Sequence, residues 1–373
     1  VKLILSVDPI AHPLTGIGRY TWELARHYHT TSCEQPVRFL HGTRWVNDPA
    51  LLLRPGGLAG TPGKSGWGKL LHSRRLARWR LAREIGSHFC HGPNYFLPEA
   101  AESGVVTVHD LSVFKFPETH PIERIRHFET GFASTLARAR HLITDSEATR
   151  HEVAAYFGWP LERITAIQLG VSDAYRIHAE DELTTALAVF GLRAGTYTLC
   201  VSTLEPRKRV DRLIRAYGRL PVSLRQRFPL VLAGGKGWLN DALLAQIEQA
   251  EQAGWLRYLG FVPEASLPAL YAGAHAFFFP SVYEGFGLPV LEALASGTPV
   301  LTSNSTSLPE VAGGAAWLVE PDHDDELLDG IERVLIDDEW RADAIGRGLE
   351  VASRHRWSTC GDRTLALCRK LAQ

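Results

Sequence analysis

The sequence has no Cys-x-x-Cys pair: its five cysteines, Cys33, Cys90, Cys200, Cys360 and Cys368, are odd in number and scattered along 373 residues. That spacing gives no metal signature and favours a reducing compartment. Net charge is nearly absent as well. Forty Lys/Arg against 41 Asp/Glu leave a formal −1, which argues against a generic nucleic-acid binder. No apolar run approaches the roughly 18 residues of a transmembrane helix. The opening "VKLILSVD" is too short and too lightly flanked for a signal peptide, so the expectation is a cytoplasmic protein. Repeats, low-complexity tracts and coiled-coil heptads are missing too.

What is there is ordinary in bulk and informative in pattern. An apolar content of 45% and a charged content of 22% fit a soluble globular protein, and the length predicts two domains. Short apolar runs alternate with amphipathic stretches. "KLILSVD", "VVTVHD", "HLITDS" and "ITAIQLGV" read as strands in the first half. "YTLCVST", "PLVLAGG", "LRYLGFV", "HAFFFPS", "TPVLTSN" and "AAWLVEP" do so in the second. Unbroken runs of this length fit strands buried on both faces of a parallel sheet. Between them, Val210, Leu213, Ile214 and Tyr217 fall at helical spacing. The expected fold is α/β, with two doubly wound parallel-sheet domains over 1–180 and 181–355. A helix over 356–373 is expected to pack back on the first domain. Such sheets bind ligands at the carboxyl ends of their strands, which makes the cleft between the domains the default site.

Several polar residues follow strands as that rule requires. "DPIAHPLTGIGRY" leads from a strand end at Asp8 through Gly16 and Gly18 into a helix, either a phosphate-approaching loop or a mere tight turn. "STLEPRKRVDRLIRAY" sets Arg207 and Lys208 between strand and helix; a planar fork and a point charge suit a diphosphate, and equally a solvated basic turn. In "YEGFGLPVLEALASGTPV" two carboxylates, Glu284 and Glu292, flank a helix entry marked by Pro289 and closed by Gly297. Gly287, Leu288 and Val290 can present free backbone N–H groups there, so amides could take phosphate and carboxylates hydroxyls. A simple dipole effect accounts for Glu292 but not for Glu284 or the glycines. "VVTVHDLS" ends a strand at His109 and Asp110, and a histidine there could exchange protons near pH 7 or be purely structural.

Together with "VHDLSVFKFPETHP", "DSEATRHEV" and "LGFVPEASLPALYAGAHAFFFPS", these stretches resemble the retaining glycosyltransferases of family 4 over essentially the whole chain. The E-x7-E element from Glu284 to Glu292 is specific in that context. The resemblance implies the GT-B fold, two Rossmann-like domains facing across a cleft, and transfer of a hexose from a nucleotide-sugar with retention at C1. It implies that Arg207 and Lys208 hold the donor diphosphate, with Gly16, Gly18, Gly287 and Leu288. It puts Glu292 on the ribose, the backbone of Val262 on the base, and Glu284 and His109 beside the transferred sugar. Arg209 departs from the Asn or Gly that many relatives carry before the helix. No metal or cofactor is implied beyond the donor, and no D-x-D element is present to hold a metal.

The "HDLSVFKFPETHP…ERIRHFE" block resembles bacterial enzymes of O-antigen and polysaccharide synthesis, often using GDP-mannose or GDP-rhamnose. The implied acceptor is a saccharide or lipid-linked saccharide. A sugar-nucleotide epimerase, a phosphorylase and a non-enzymatic sugar-binding protein are the alternatives, while oligomeric state is not legible. Residues 64–86, "KSGWGKLLHSRRLARWRLAREIG", carry seven Lys/Arg and no Asp/Glu between Lys64 and Arg83, interleaved with Trp and Leu. That composition suits an anionic membrane surface, at the inner face of the cytoplasmic membrane, or an ordinary solvated helix.

Overall fold

Among the described residues seven strands build the first sheet: β1 (Lys2–Ser6), β2 (Arg38–His41), β3 (Arg44–Val46), β4 (His88–Gly92), β5 (Gly104–Val108), β6 (Ala139–Thr144) and β7 (Ile164–Ala166). Their order is β3-β2-β1-β4-β5-β6-β7, and every neighbouring pair is parallel except β2 with β3. The computed structural model describes residues 2–12, 14, 16–31, 36–54, 81–86, 88–237 and 241–373. Of the basic stretch at 64–86, residues 64–80 lie outside the described residues.

The second sheet has six strands, all parallel: β8 (Thr198–Val201), β9 (Leu230–Ala233), β10 (Leu256–Tyr258), β11 (Ala276–Phe279), β12 (Val300–Ser303) and β13 (Ala316–Val319), in the order β10-β9-β8-β11-β12-β13. β9 and β11 are apolar and buried throughout, as strands covered on both faces are, and β8 and β12 add the buried Thr198, Thr302 and Ser303; Phe277, Phe278 and Phe279 are all buried. The helix Val210–Arg219 buries Val210, Leu213, Ile214 and Tyr217 against this sheet, the stripe its spacing predicts.

The chain divides into two compact units. The first takes Val1–Phe114, Pro121–Gly170 and Trp357–Gln373; the second takes Lys115–His120 and Val171–Arg356. The division falls after Gly170 rather than after residue 180. The reason is local: Val171 bridges to Arg356 and donates its N–H to the His355 carbonyl at 3.1 Å. The last helix, Trp357–Leu371, lies against the helix Gly16–Thr31 of the first unit, where His27 Nε2 meets Asp362 Oδ1 at 2.8 Å. Among the described residues no helix is long and apolar enough to cross a membrane.

Candidate active site

In the second sheet β8 lies between β9 and β11, so the loops that follow β8 and β11 open at a topological switch point. After β8, Pro206–Lys208 make a single tight turn. Arg209 ends it in the left-handed region, φ 54° and ψ 29°, and the helix Val210–Arg219 begins. Arg209 therefore occupies a conformation that glycine or asparagine adopts more easily. Its guanidinium pairs with Asp322 at 3.0 Å.

The turn brings Arg207 and Lys208 onto Glu284, in the loop after β11. Lys208 Nζ is paired with Glu284 Oε1, and Arg207 Nη1 lies 3.5 Å from Glu284 Oε2. Arg207 Nη1 also donates to the Tyr283 carbonyl at 2.9 Å, and Nη2 is 2.7 Å from Glu205 Oε1. These are two cations and two carboxylates with no net charge, and none of the four side chains is more than 13% exposed. Burial works to raise the Glu284 carboxyl, but the neighbouring Lys208 ammonium and Arg207 guanidinium outweigh it and hold the group below its ordinary value.

The backbone at Glu284 is held as firmly as its side chain. Its N–H donates to Thr306 Oγ1 at 3.1 Å, and Ser307 Oγ donates to the carbonyls of Glu284 at 2.9 Å and Phe286 at 2.7 Å. Thr306 itself sits at φ 53°, a costly conformation for a β-branched residue. Gly287 then caps the helix Leu288–Ala295 at φ 114°, where an added Cβ would come within 2.8 Å of Leu308 Cδ2. Pro289 stands second in the helix, where its missing N–H leaves no bond unmade. The Val290 N–H turns back to the Gly287 carbonyl at 3.0 Å, so it is not among the amides open to a ligand; Gly287 and Leu288 remain candidates. Glu292 is the fifth residue of the helix, in its second turn; counting from Pro289 as the first helical residue would have put it in the first. It is partly exposed, and after burial its charge is the next cause holding the Tyr271 hydroxyl above its ordinary value. Val262 is buried beyond β10, following Gly260 at φ 66° and Phe261, which is 64% exposed.

Gly16, Gly18 and His109 belong to the first unit. Gly16 opens the helix Gly16–Thr31 and is exposed, whereas Gly18 is buried. His109 follows β5 and is buried. Its Nδ1 lies 2.7 Å from Asp145 Oδ2 and its Nε2 lies 2.8 Å from the Pro93 carbonyl. Both partners are acceptors, so in this geometry both ring nitrogens act as donors. Burial alone would lower the His109 pKa; Asp145 and the two hydrogen bonds outweigh it and raise it.

Residues 193–350 match the family of glycosyl transferases group 1. Over 98% of its length the chain is 38% identical to the O-antigen chain mannosyltransferase B of Escherichia coli, of which it covers 98%. The chain belongs to the group 1 glycosyl transferases. Solved structures share its fold. WaaG, a glycosyltransferase involved in lipopolysaccharide biosynthesis, superposes with a TM-score of 0.72 at 16% identity over 98% of this chain and 99% of its own. HepE of Anabaena, in complex with UDP and glucose, gives 0.72 at 18% identity over 99% and 100%. Both are GT-B proteins, and this glycosyl transferase has that fold.

The matched residues of this glycosyl transferase contain Arg207, Lys208, Val262, Glu284, Gly287, Leu288 and Glu292. The structure joins Arg207, Lys208 and Glu284 in one cluster, with Gly287 and Leu288 three and four residues further along the same turn. Sequence reasoning missed Glu205, Thr306, Ser307 and Asp145. Glu205 had a signal, standing two residues before Arg207 in "LEPRK"; the serine and threonine in "SNSTS" had none. Among the described residues no group of three or more His, Cys, Asp or Glu side chains is placed to hold a metal ion.

Proposed function

We propose that this glycosyl transferase is a retaining family-4 hexosyltransferase that moves mannose from a nucleotide-sugar, GDP-mannose first, to a saccharide acceptor in O-antigen or related polysaccharide synthesis. The observation that carries the reading is the Arg207–Lys208–Glu284 cluster at the switch point of the second sheet. Likeness along the whole chain to an O-antigen chain mannosyltransferase supports mannose over rhamnose.

In the free protein Glu284 neutralises Lys208. An arriving diphosphate competes for that ammonium and for the Arg207 fork, and the N–H groups of Gly287 and Leu288 add their dipoles. Glu284, released from Lys208, accepts hydroxyls of the transferred sugar, while Glu292 takes the ribose and the Val262 backbone the base. In the first unit Gly16 and Gly18 are the further residues that this reading assigns to the donor phosphates. As the bond from C1 to the diphosphate oxygen breaks, Arg207 and Lys208 stabilise the growing charge in the role a metal would otherwise fill. The acceptor hydroxyl oxygen bonds to C1 on the same face, and its proton leaves with the nucleoside diphosphate. His109, held by Asp145 and the Pro93 carbonyl, lies beside the transferred sugar in this reading.

Incubation with GDP-mannose, GDP-rhamnose and UDP-glucose, with and without mannoside acceptors, tests the reading, with NMR reporting the product anomer. Acceptor-dependent release of nucleoside diphosphate with an α-linked product is expected. A β-linked product would overturn retention, and donor conversion without acceptor would make the protein an epimerase. Loss of activity in EDTA restored by Mg²⁺ or Mn²⁺ would count against the metal-free route. Docking of residues 64–86 on anionic membrane, where a lipid-linked acceptor would be met, belongs to the same proposal. Sedimentation with anionic vesicles at low salt tests it, and absence of binding would overturn it.

A further inference from the structure

Lys115–His120 belong to the second unit, although Phe114 and Pro121, their neighbours in the chain, belong to the first. The sequence shapes this short strap. A helical turn, Ser112–Lys115, stops there because Pro117 disfavours helical backbone at the residue before it. Phe116 accordingly sits at φ −131° and ψ 52°, and Pro117–Thr119 make a tight turn. Thr119 closes that turn onto one atom: its N–H and its Oγ1 both donate to the Phe116 carbonyl, at 2.9 and 2.8 Å. The His120 N–H donates to the Pro117 carbonyl at 3.0 Å. Thr119 and His120 are buried, while Lys115, Pro117 and Glu118 are exposed. The strap is anchored at its end, and its backbone fixes Phe116 before any ligand arrives.

Phe116 meets Tyr283, with ring centroids 5.1 Å apart and planes at 53°, and Lys115 Nζ stands 5.2 Å from the centre of the same ring. Tyr283 is 1% exposed and directly precedes Glu284. Its backbone serves the cluster, for the Tyr283 carbonyl accepts from Arg207 Nη1 at 2.9 Å. The Val282 N–H donates to the Arg207 carbonyl at 2.9 Å, and Ser281 Oγ donates to the same carbonyl at 3.2 Å. The loop after β11 thus holds Arg207 by its backbone and by its guanidinium. Phe286, two residues past Glu284, is buried beside His355, with centroids 6.0 Å apart. Glu284 lies between two aromatic anchors, and the one that also serves Arg207 rests on the strap.

What the ring contact stabilises is one position of a backbone carbonyl. The Arg207 guanidinium is planar and donates in fixed directions, so a displaced Tyr283 carbonyl turns the fork away from a diphosphate. Lys208, a point charge on a flexible stem, tolerates the same displacement better. The geometry points to Phe116 as a positioning residue for donor binding: through Tyr283 it holds the Arg207 fork in register with Glu284. The inference rests on the transferase reading for the identity of the arriving anion, a nucleoside diphosphate. The linkage from ring to guanidinium needs no ligand.

The test uses the full chain and reads the two parts separately. Without nucleotide, NMR of the Arg207 side-chain N–H groups, assigned with Arg207→Lys, follows their exchange with solvent. Exchange at least about 10-fold faster is expected in Phe116→Ala and Phe116→Leu, and a parent-like rate in Phe116→Tyr. With GDP and UDP as probes, calorimetry should show Phe116→Ala and Phe116→Leu binding about 5- to 20-fold more weakly, and Phe116→Tyr within about twofold of the parent. Donor KM should rise by the same factor with acceptor KM unchanged. In a Tyr283→Leu background Phe116→Ala should cost no further nucleotide affinity, a coupling that a general loss of stability does not produce. Arg207 exchange unmoved in Phe116→Leu overturns the assignment, as do additive losses in the double variant. A parent that binds neither nucleotide, with Arg207 exchange still set by Phe116, would uphold the linkage and refute the transferase reading.

Discussion

His109 is buried and Glu284 half-buried, and pH moves them in opposite directions. For His109 the folded value is raised, so its contribution to stability is complete below the ordinary histidine value of about 6.5 and fades as pH rises through the folded value. Asp145, lifted by burial and opposed by the imidazolium, is its main partner, and Asp110 adds to the same field. Asp145→Asn removes the charge; thermal unfolding should show a loss of about 1.5–3 kcal/mol at pH 6 that shrinks toward pH 9. A loss independent of pH would mean His109 is neutral in the fold. Glu284 has a lowered value, so its contribution is present above about 4.3 and disappears as pH falls through the folded value. Glu284→Gln should therefore be less sensitive to acid than the parent. Removing that carboxylate also frees Lys208, so GDP affinity should hold or rise while turnover falls. Glu292→Ala should instead weaken GDP and donor alike, and equal losses in both variants would contradict the division of roles.

Elements decide which residues meet, and here the loops after β8, β9 and β11 matter most. Gly234 follows β9 at φ 144°, and an added Cβ would stand 1.9 Å from the Ser202 carbonyl oxygen, backbone against backbone. Gly235 has nothing within 4 Å. Gly234→Ala should cost at least about 2 kcal/mol, with loss of GDP binding as the loop after β8 shifts, whereas Gly235→Ala should stay within about 0.5 kcal/mol. Chemical denaturation of the two variants checks the contrast. The same comparison of strand and loop explains what the sequence made legible. Runs such as "LVLA" and "AFFF" announce β9 and β11 because both faces are buried. "RFLH", "RWV" and "HFCHG" conceal β2, β3 and β4, because arginines and histidines interrupt the apolar pattern. His91 in β4 is buried nonetheless, its Nε2 bonded to Thr107 Oγ1 at 2.9 Å, a satisfaction that only tertiary structure supplies. At the site, the cations and Glu284 could be read from their places after strands. Their mutual pairing, and the clasp of Thr306 and Ser307, depend on residues over 20 positions away in the chain.

At the scale of the whole molecule the chain returns to where it began. The helix Trp357–Leu371 buries Trp357, Cys360, Thr364, Leu365 and Cys368 in the first unit, and Arg363 Nη2 donates to the Ala166 carbonyl at 3.0 Å. Close approach to the helix Gly16–Thr31 depends on Gly361, where a Cβ would be 2.5 Å from His27 Cδ2. Each fully buried large apolar side chain contributes about 1.5–3 kcal/mol, and a domain's net stability is only about 5–15 kcal/mol. A chain ending at Arg356 therefore loses a large part of what keeps its first unit folded, while every contact within residues 171–356 remains. Calorimetry should show the first-unit transition lowered or lost and a second transition that still shifts upward with GDP. Gly361→Ala should produce a milder form of the same asymmetry, about 1–3 kcal/mol confined to the first unit. Hydrogen exchange distinguishes the outcomes: faster exchange across residues 16–31 with unchanged protection in β8 and β11 is expected. Uniform loss of protection in both units would mean that the last helix supports the whole chain, and unchanged protection in 16–31 would mean that it supports neither.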